Sequence, residues 1–274
     1  MTKQGYYKWV KRFKPDFNSV DIELNNLIQT INQQFPFYGS RRIVEQIKFQ
    51  FGWKVSRNKV VRHMKISNVQ ATKRKRVFKY LFERPDLSSV ENLLLKEKVS
   101  EFSVSSSNKV WCTDITYLPT KDKMLYLLAI IDIYDKEIIS YSVSNKMDKN
   151  FVLKAVNEAF VKRNKPKNLV LHSDRGSQYR SIDYFSLCQK LKISISMSRP
   201  GNPLDNAVIE SWNSTMKHEL NVRRKFKKIH SSQIYEIIDK YIHFYNNERI
   251  HSSLNYLTPK SFFRKFIYNK DVVN

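Results

Sequence analysis

The run Met124 to Ile133, MLYLLAIIDI, constrains this chain most. It is apolar on both alternating faces, contains Asp132, and falls well short of the roughly 20 residues a bilayer-spanning helix needs. A segment apolar on both faces suits a central strand covered on each side. Its neighbours agree. Trp111 to Leu118 alternates like a strand, and Glu137 to Val143 reads as another, with Asp135 and Lys136 as turn residues. Two antiparallel partners are therefore expected. Downstream the pattern switches period. Asn150 to Arg163 reads as a helix, Leu169 to Leu171 as a short buried strand, Ser181 to Leu191 as a helix and Ile193 to Met197 as a strand. The loop Arg199-Pro200-Gly201-Asn202-Pro203 leads into a helix from about Asp205 to Leu220. Three strands, then alternating helices and strands, then a helix, is the order of a layered α/β fold. A last long helix, Ser232 to Glu248, carries apolar residues on more than one side.

The chain before residue 100 differs: it reads as helical and very basic. Ser19 to Gln34 has helical apolar spacing (Val20, Ile22, Leu24, Leu27, Ile28, Ile31). Ser40 can cap a second helix whose Ile43, Ile47 and Phe51 share a face, and Gly52 breaks it. Ser56 can cap a third, with Val60, Val61 and Met64 inward. Two short helices joined through a glycine turn read as a helix-turn-helix at about 38–66. Arg57, Asn58, Lys59, Arg62 and His63 are expected on the outer side, as donors for phosphates and base edges in a major groove. The run Lys73-Arg74-Lys75-Arg76 reads as an arm that tracks phosphates.

Charge supports that reading. Lys and Arg total 49 against 25 Asp and Glu, a net charge of +24. Such a body attracts polyanions through steering and counterion release, so nucleic acid is the expected partner. Cys112 and Cys188 are far apart with no CxxC spacing, so neither a disulfide framework nor a zinc site is expected. MTKQGYYKWVKRFK lacks the apolar stretch of a secretory signal. A cytoplasmic protein with no membrane partner is the expectation.

Three acids carry the candidate chemistry. Asp114 sits mid-strand in Trp-Cys-Thr-Asp-Ile-Thr-Tyr, sharing a face with Cys112 and Thr116. A carboxylate in a core strand costs desolvation unless something compensates it, and a metal ion does so economically. Asp174 ends a buried strand, where α/β sheets tend to place ligands. Glu210 lies on the helix after the glycine loop, beside the apolar stripe Ile209, Trp212, Met216 and Leu220. Its neighbours in the next stripe are Asn213 or Ser214, then Lys217 about two turns on. Three hard oxygen donors suit magnesium or manganese. A pair of such ions about 4 Å apart can serve phosphoryl transfer. Arg175 and Gln178 are candidates to touch the reacting strand, and Asn206 either orients Glu210, holds DNA, or caps the helix. His172 reads as a support for Asp174 or a packing histidine, and Asp132 as a strand-end acid or an approach to the metals. Tyr245, Asn246, Arg249 and His251 read equally as a structural clasp or as DNA or subunit contacts.

These words resemble the second-frame transposases of bacterial insertion-sequence family three, relatives of retroviral integrases. The resemblance runs through Gly5-Tyr6-Tyr7-Lys8-Trp9, Tyr38-Gly39-Ser40-Arg41-Arg42-Ile43, Trp111 to Tyr117, and His172 to Tyr179. It continues through Gly201 to Ala207, Glu210-Ser211, Tyr245-Asn246, Arg249, His251, Leu254 and Thr258-Pro259. Between Asp174 and Glu210 stand 35 residues (210 − 174 − 1), the spacing that names the family's acid triad. Pro203-Leu204 and Trp212 depart from the usual residues and leave the acids untouched. The resemblance implies an RNase-H-like catalytic core with an N-terminal helix-turn-helix region and a C-terminal helical extension. It implies Asp114, Asp174 and Glu210 as metal ligands, and Lys217 as a contact to terminal DNA. It further implies cutting and joining at insertion-sequence ends on double-stranded DNA, a homo-oligomer bridging two ends, and a first-frame partner or fusion. The domains then fall at 1–82, 83–108 (linker), 109–222 (core) and 223–274. A regulator that only binds DNA, and a nuclease that does not join, are the alternative readings.

Overall fold

The structure, a computed structural model, describes residues 2–4, 19–72, 90–96, 104–199 and 206–271. The chain divides into two compact units, Met1–Lys75 and Arg76–Asn274.

In the first unit, helices α1 (Ser19–Gln34), α2 (Ser40–Phe51) and α3 (Arg57–Ile66) pack around Leu24, Ile28, Ile31, Tyr38, Ile43, Ile47 and Val60. Gly52 stops α2 in the left-handed conformation at φ 69°, which glycine adopts without steric cost. The Ser56 hydroxyl caps α3 as expected, accepting from the Lys59 N–H at 3.2 Å. Three expectations here are corrected. Ser40 does not cap α2: Gly39 is the cap residue, and the Ser40 hydroxyl instead accepts from the Arg57 guanidinium at 3.3 Å. Phe51 and Ile22 face outward, exposed by 43% and 53%. His63 faces inward: its ring meets Asn25 at 2.9 Å and Asp21 at 3.4 Å. An imidazole that finds polar partners on α1 is more stable inside than its charge class suggests.

In the second unit, a short helix α4 (Leu93–Lys96) precedes a five-stranded sheet of order β3-β2-β1-β4-β5. Strands β1 (Val110–Pro119), β2 (Met124–Asp132) and β3 (Ile138–Ser144) form an antiparallel meander. Helix α5 (Lys149–Lys162) crosses to β4 (Val170–Ser173), and α6 (Ile182–Lys190) to β5 (Ser194–Met197), both running parallel to β1. Then follow α7 (Ala207–Glu219), α8 (Val222–Lys225), α9 (Ser231–Asn247) and α10 (Pro259–Asp271). Helices cover both faces, which is why β2 is apolar on both up to Asp132. On one face Leu128, Ile130, Trp111 and Leu171 pack against Val152, Val156 and Ala159 of α5 and Tyr184 and Cys188 of α6. On the other, Cys112, Leu118, Leu125, Leu127 and Ile131 meet Ile209, Trp212 and Met216 of α7 and Ile234, Ile238 and Ile242 of α9. Helix α9, in the segment assigned from sequence to an extension, thus shares the core of the sheet. Each such buried aliphatic side chain contributes on the order of 1.5–3 kcal/mol. This mixed sheet sandwiched by helices is the α/β integrase-type architecture expected. Among the described residues, no helix is long and apolar enough to cross a membrane. Both cysteines are free and buried.

Candidate active site

Strand β1 carries Asp114 on the face that also buries Cys112 and Thr116, toward α7. Next to it, β4 pairs in parallel register with Cys112 opposite His172. Continuing two residues brings Asp114 and Asp174 out at the same level of strands that lie about 4.8 Å apart. Asp174 leaves the end of β4, and its Oδ1 accepts the Gly176 N–H at 2.9 Å. The loop is tight there: a Cβ on Gly176 would stand 3.0 Å from that same oxygen, so a side chain would press the carboxylate aside by a few tenths of an ångström. Glu210 sits in the first turn of α7. One turn on, the Asn213 amide donates to Asp114 Oδ2 at 2.8 Å, tying the Glu210 helix to the Asp114 strand.

Electrostatics show that the acids share one field. Burial, then the negative charge of Asp174, and less strongly that of Glu210, push the Asp114 carboxyl up to about 7, against the Ile115 N–H and the Asn213 amide. Burial also raises Asp174, opposed by the Gly176 N–H. Among the described residues, no three His, Cys, Asp or Glu side chains stand close enough to hold a metal ion as they are. The acids converge on one field without forming a finished coordination cage. Their chemistry still fits a hard cation: they are oxygen donors, Asp114 is half-buried, and the leading influences that favour its charge are neutral N–H groups.

The residue before Asp114 is a hub that the sequence did not reveal. The Tyr179 hydroxyl, buried beneath the acids, meets Thr113 Oγ1 at 3.1 Å. The Asn206 amide, at the start of α7, donates to the Thr113 carbonyl at 3.3 Å. Asn206 is buried and makes no side-chain cap, so of its expected uses the capping one is not realised. With Asn213, the segments bearing Asp174 and Glu210 are both fastened to Thr113-Asp114. The step of three from Glu210 to Asn213 was the available signal for the second link.

The other candidates fall as follows. Lys217 lies half-buried on α7. Arg175 spends two donor groups on backbone carbonyls, Ser198 at 2.7 Å and Val90 at 3.0 Å, while Gln178 reaches the Met147 carbonyl at 3.4 Å. His172 is fully buried between Ser196 at 2.8 Å and Ser198 at 3.1 Å, where it links β4 to the end of β5. Asp132 takes the strand-end role: it accepts from the Asn108 and Tyr134 N–H groups and the Trp111 indole. Asn246 pairs with both backbone groups of Ile138, and Arg249 grips Glu219 at 2.7 Å, so these residues form the structural clasp. In the first unit Arg57, Asn58 and Arg62 are exposed, and Lys59 is in an ion pair with Asp21 at 2.9 Å. Lys73, Arg74, Lys75 and Arg76 lie outside the described residues.

Comparison with known proteins agrees with this architecture. An HTH-like domain family matches residues 20–77, and integrase core domain families match 104–203 and 191–259. The insertion element IS600 uncharacterized 31 kDa protein of Shigella sonnei is 31% identical over 97% of this chain and 96% of its own length. The putative transposase InsK for insertion sequence element IS150 of Escherichia coli K12 is 32% identical, over 93% of this chain and 86% of its own. The transposase InsF for insertion sequence IS3A of the same organism is 27% identical over 97% and 91%. Among solved structures, the HTLV-2 integrase catalytic core domain in complex with magnesium matches with a TM-score of 0.47 and 19% identity, covering 57% of this chain and 96% of that one. With an HTH-like domain ahead of an integrase core and near full-length likeness to insertion-element proteins, the chain belongs to the transposases of bacterial insertion-sequence family three, enzymes of the polynucleotidyl-transferase type.

Proposed function

We propose that this chain nicks double-stranded DNA at the ends of an insertion sequence and joins the freed 3′-hydroxyl to a second phosphodiester, with Asp114, Asp174 and Glu210 holding magnesium or manganese, two ions in all. The observation that carries the reading is the half-buried Asp114 carboxyl, whose proton is held more tightly by the charges of two further acids on other segments. Bound there, divalent cations would supply Lewis acidity for the attacking hydroxyl and charge neutralisation at the leaving oxygen. The chain's own part is positional. Asn213 holds one Asp114 oxygen at 2.8 Å, the Gly176 N–H holds one Asp174 oxygen at 2.9 Å, and α7 carries Glu210, whose charge is felt at Asp114. No side chain needs to serve as nucleophile, so no covalent protein intermediate arises. Lys217, two turns beyond Glu210, steadies a phosphate of the terminal DNA, Arg175 and Gln178 border the reacting strand, and the buried Asn206 fixes the start of α7 through the Thr113 carbonyl. Arg57, Asn58, Lys59 and Arg62 of α3, with the 73–76 arm, read the terminal repeat. We further infer a homo-oligomer on paired ends, alone or with a first-frame partner, acting on the bacterial nucleoid in the cytoplasm.

The test is incubation with labelled duplexes carrying candidate ends and magnesium or manganese. Nicked and joined products are expected from wild type, and neither from Glu210→Gln, which keeps its band shift. Inactivity of both proteins with DNA binding retained makes the chain a DNA-binding regulator. Nicking without joining makes it a nuclease.

A further inference from the structure

We propose that segment 222–228 and the β1–β2 turn form a ledge that binds the phosphate backbone of duplex DNA without regard to base sequence. Five cations, Arg223, Arg224, Lys225, Lys227 and Lys228, fall within six residues, and all five are exposed. None of these side chains makes an ion pair or hydrogen bond with a described residue. Lys121 and Lys123, both exposed, add two more from the turn alongside. So many like charges repel one another at neutral pH unless a polyanion lies across them.

The ledge is built, not merely decorated. Val222 and Phe226, each 1% exposed, plug into the core cluster that also takes Cys112 and Leu118. The Lys121 N–H donates to the Ile229 carbonyl at 3.0 Å. The turn's acid, Asp122, accepts from the Ser231 N–H at 2.8 Å and hydroxyl at 2.7 Å, which fixes the two segments to each other. Those bonds, the Ser231 hydroxyl first, hold Asp122 well below the usual carboxylate range, and they turn its charge toward α9. Because Val222 and Phe226 pack on the Asp114 face of the sheet, ledge and acids look out from the same side. Pro119, at the ledge end of β1, is five residues past Asp114, about 17 Å along the strand. That is about half the ~34 Å repeat of B-DNA. A duplex laid along this face with its reacting phosphate at Asp114 meets the ledge half a turn away. This placement rests on the proposed chemistry at Asp114; the binding itself does not.

The test uses the full chain carrying Glu210→Gln, without divalent metal, and a 40-base-pair duplex with no element end. Arg223→Gln, Arg224→Gln, Lys227→Gln and Lys228→Gln together remove four contacts, which at about 0.9 per phosphate lowers the slope of log affinity against log salt by up to about 3.6. A duplex bearing an element end shows the same drop. An unchanged slope overturns the ledge. Should the quadruple variant not fold, acetylation of the wild-type protein read by mass spectrometry decides: Lys225, Lys227 and Lys228 are protected by the duplex. Equal labelling with and without DNA overturns the proposal, and equal protection by polyglutamate at matched charge overturns its duplex assignment. Both readouts are binding without turnover, so loss of the ledge and loss of the cutting function are separate results.

Discussion

Two groups of three acids occupy the same sheet unit, and they are settled in opposite ways. Asp132, Asp135 and Glu137 lie at and after the end of β2. Burial, then the charge of Asp135, pushes Asp132 up to about 7, as burial and its acidic neighbours do to Asp114. Here, however, the protein supplies the answer. Arg163, itself buried, reaches Asp135 at 3.0 Å and Glu137 at 2.9 Å and stacks over the Phe263 ring at 3.9 Å. Ser107 and backbone N–H groups take further oxygens. Around Asp114 the main aids are an amide and a backbone N–H. A fold that answers one acidic cluster with its own guanidinium, and gives the Asp114 carboxyl mainly neutral donors, leaves Asp114 better suited than Asp132 to a charge from outside.

Four experiments break or sharpen this contrast. The largest effect is on turnover: Asp174→Asn or Glu210→Gln each lowers cleavage at least about 10³-fold, since metal-assisted charge stabilisation is worth several kcal/mol. Single-turnover kinetics on a labelled end measures it, and a loss under tenfold removes that acid from the chemistry. Next, Arg163→Met leaves three acids buried and costs about 3–5 kcal/mol in urea unfolding; a loss under 1 kcal/mol means the first cluster is not settled by Arg163. Third comes a gain. The folded-state Asp114 carboxyl, near 7, lies above the ordinary value of 3.8, so the folded state holds the proton more tightly than the unfolded one. Its stabilising contribution is full below about pH 4, declines as pH rises, and is gone above about 7. Asp114→Asn, which cannot ionise, therefore raises metal-free stability at pH 8 by roughly 2 kcal/mol and changes it little at pH 4. Urea titrations in chelator at both pH values test this, and a variant less stable at pH 8 contradicts it. Last, Asn213→Leu frees the Asp114 carboxylate and weakens manganese binding roughly 10–100-fold, as loss of a ligand's hydrogen-bond partner does. Calorimetry reads that directly, with the unfolding midpoint as a control for packing; unchanged affinity leaves Asn213 with a structural role only.

The contrast also marks how far the sequence could be read. Periodicity located all five strands to within a residue or two, because β2 is apolar on both faces and β1 alternates around Asp114. Spacing grouped Asp174 with Glu210 only through the family resemblance. It could not choose between Asn213 and Ser214, since both lie about one turn from Glu210; the bond to a strand 99 residues earlier decides it. Thr113 gave no sign of joining the loop and helix that carry the other acids, because its partners are 66 and 93 residues away. His63 was misplaced for the same reason: Asn25 and Asp21, its partners, belong to another helix. The 223–228 cations were passed over because they match no motif and matter only through what the turn at Lys121 brings beside them.

Helix α7 is gripped at both ends, and that sets the aim of its acid. At its start Asn206 holds the Thr113 carbonyl of β1; at its last residue Glu219 is clamped by the Tyr241 hydroxyl of α9 and the Arg249 guanidinium just past that helix. Nine residues, about 13 Å, separate Glu210 from Glu219. A slip of one residue would swing the Glu210 carboxylate through about 100°. The far-end clamp thus works as a torsional lock, and a substitution at Arg249 would be felt as misdirection of Glu210 although the two never meet.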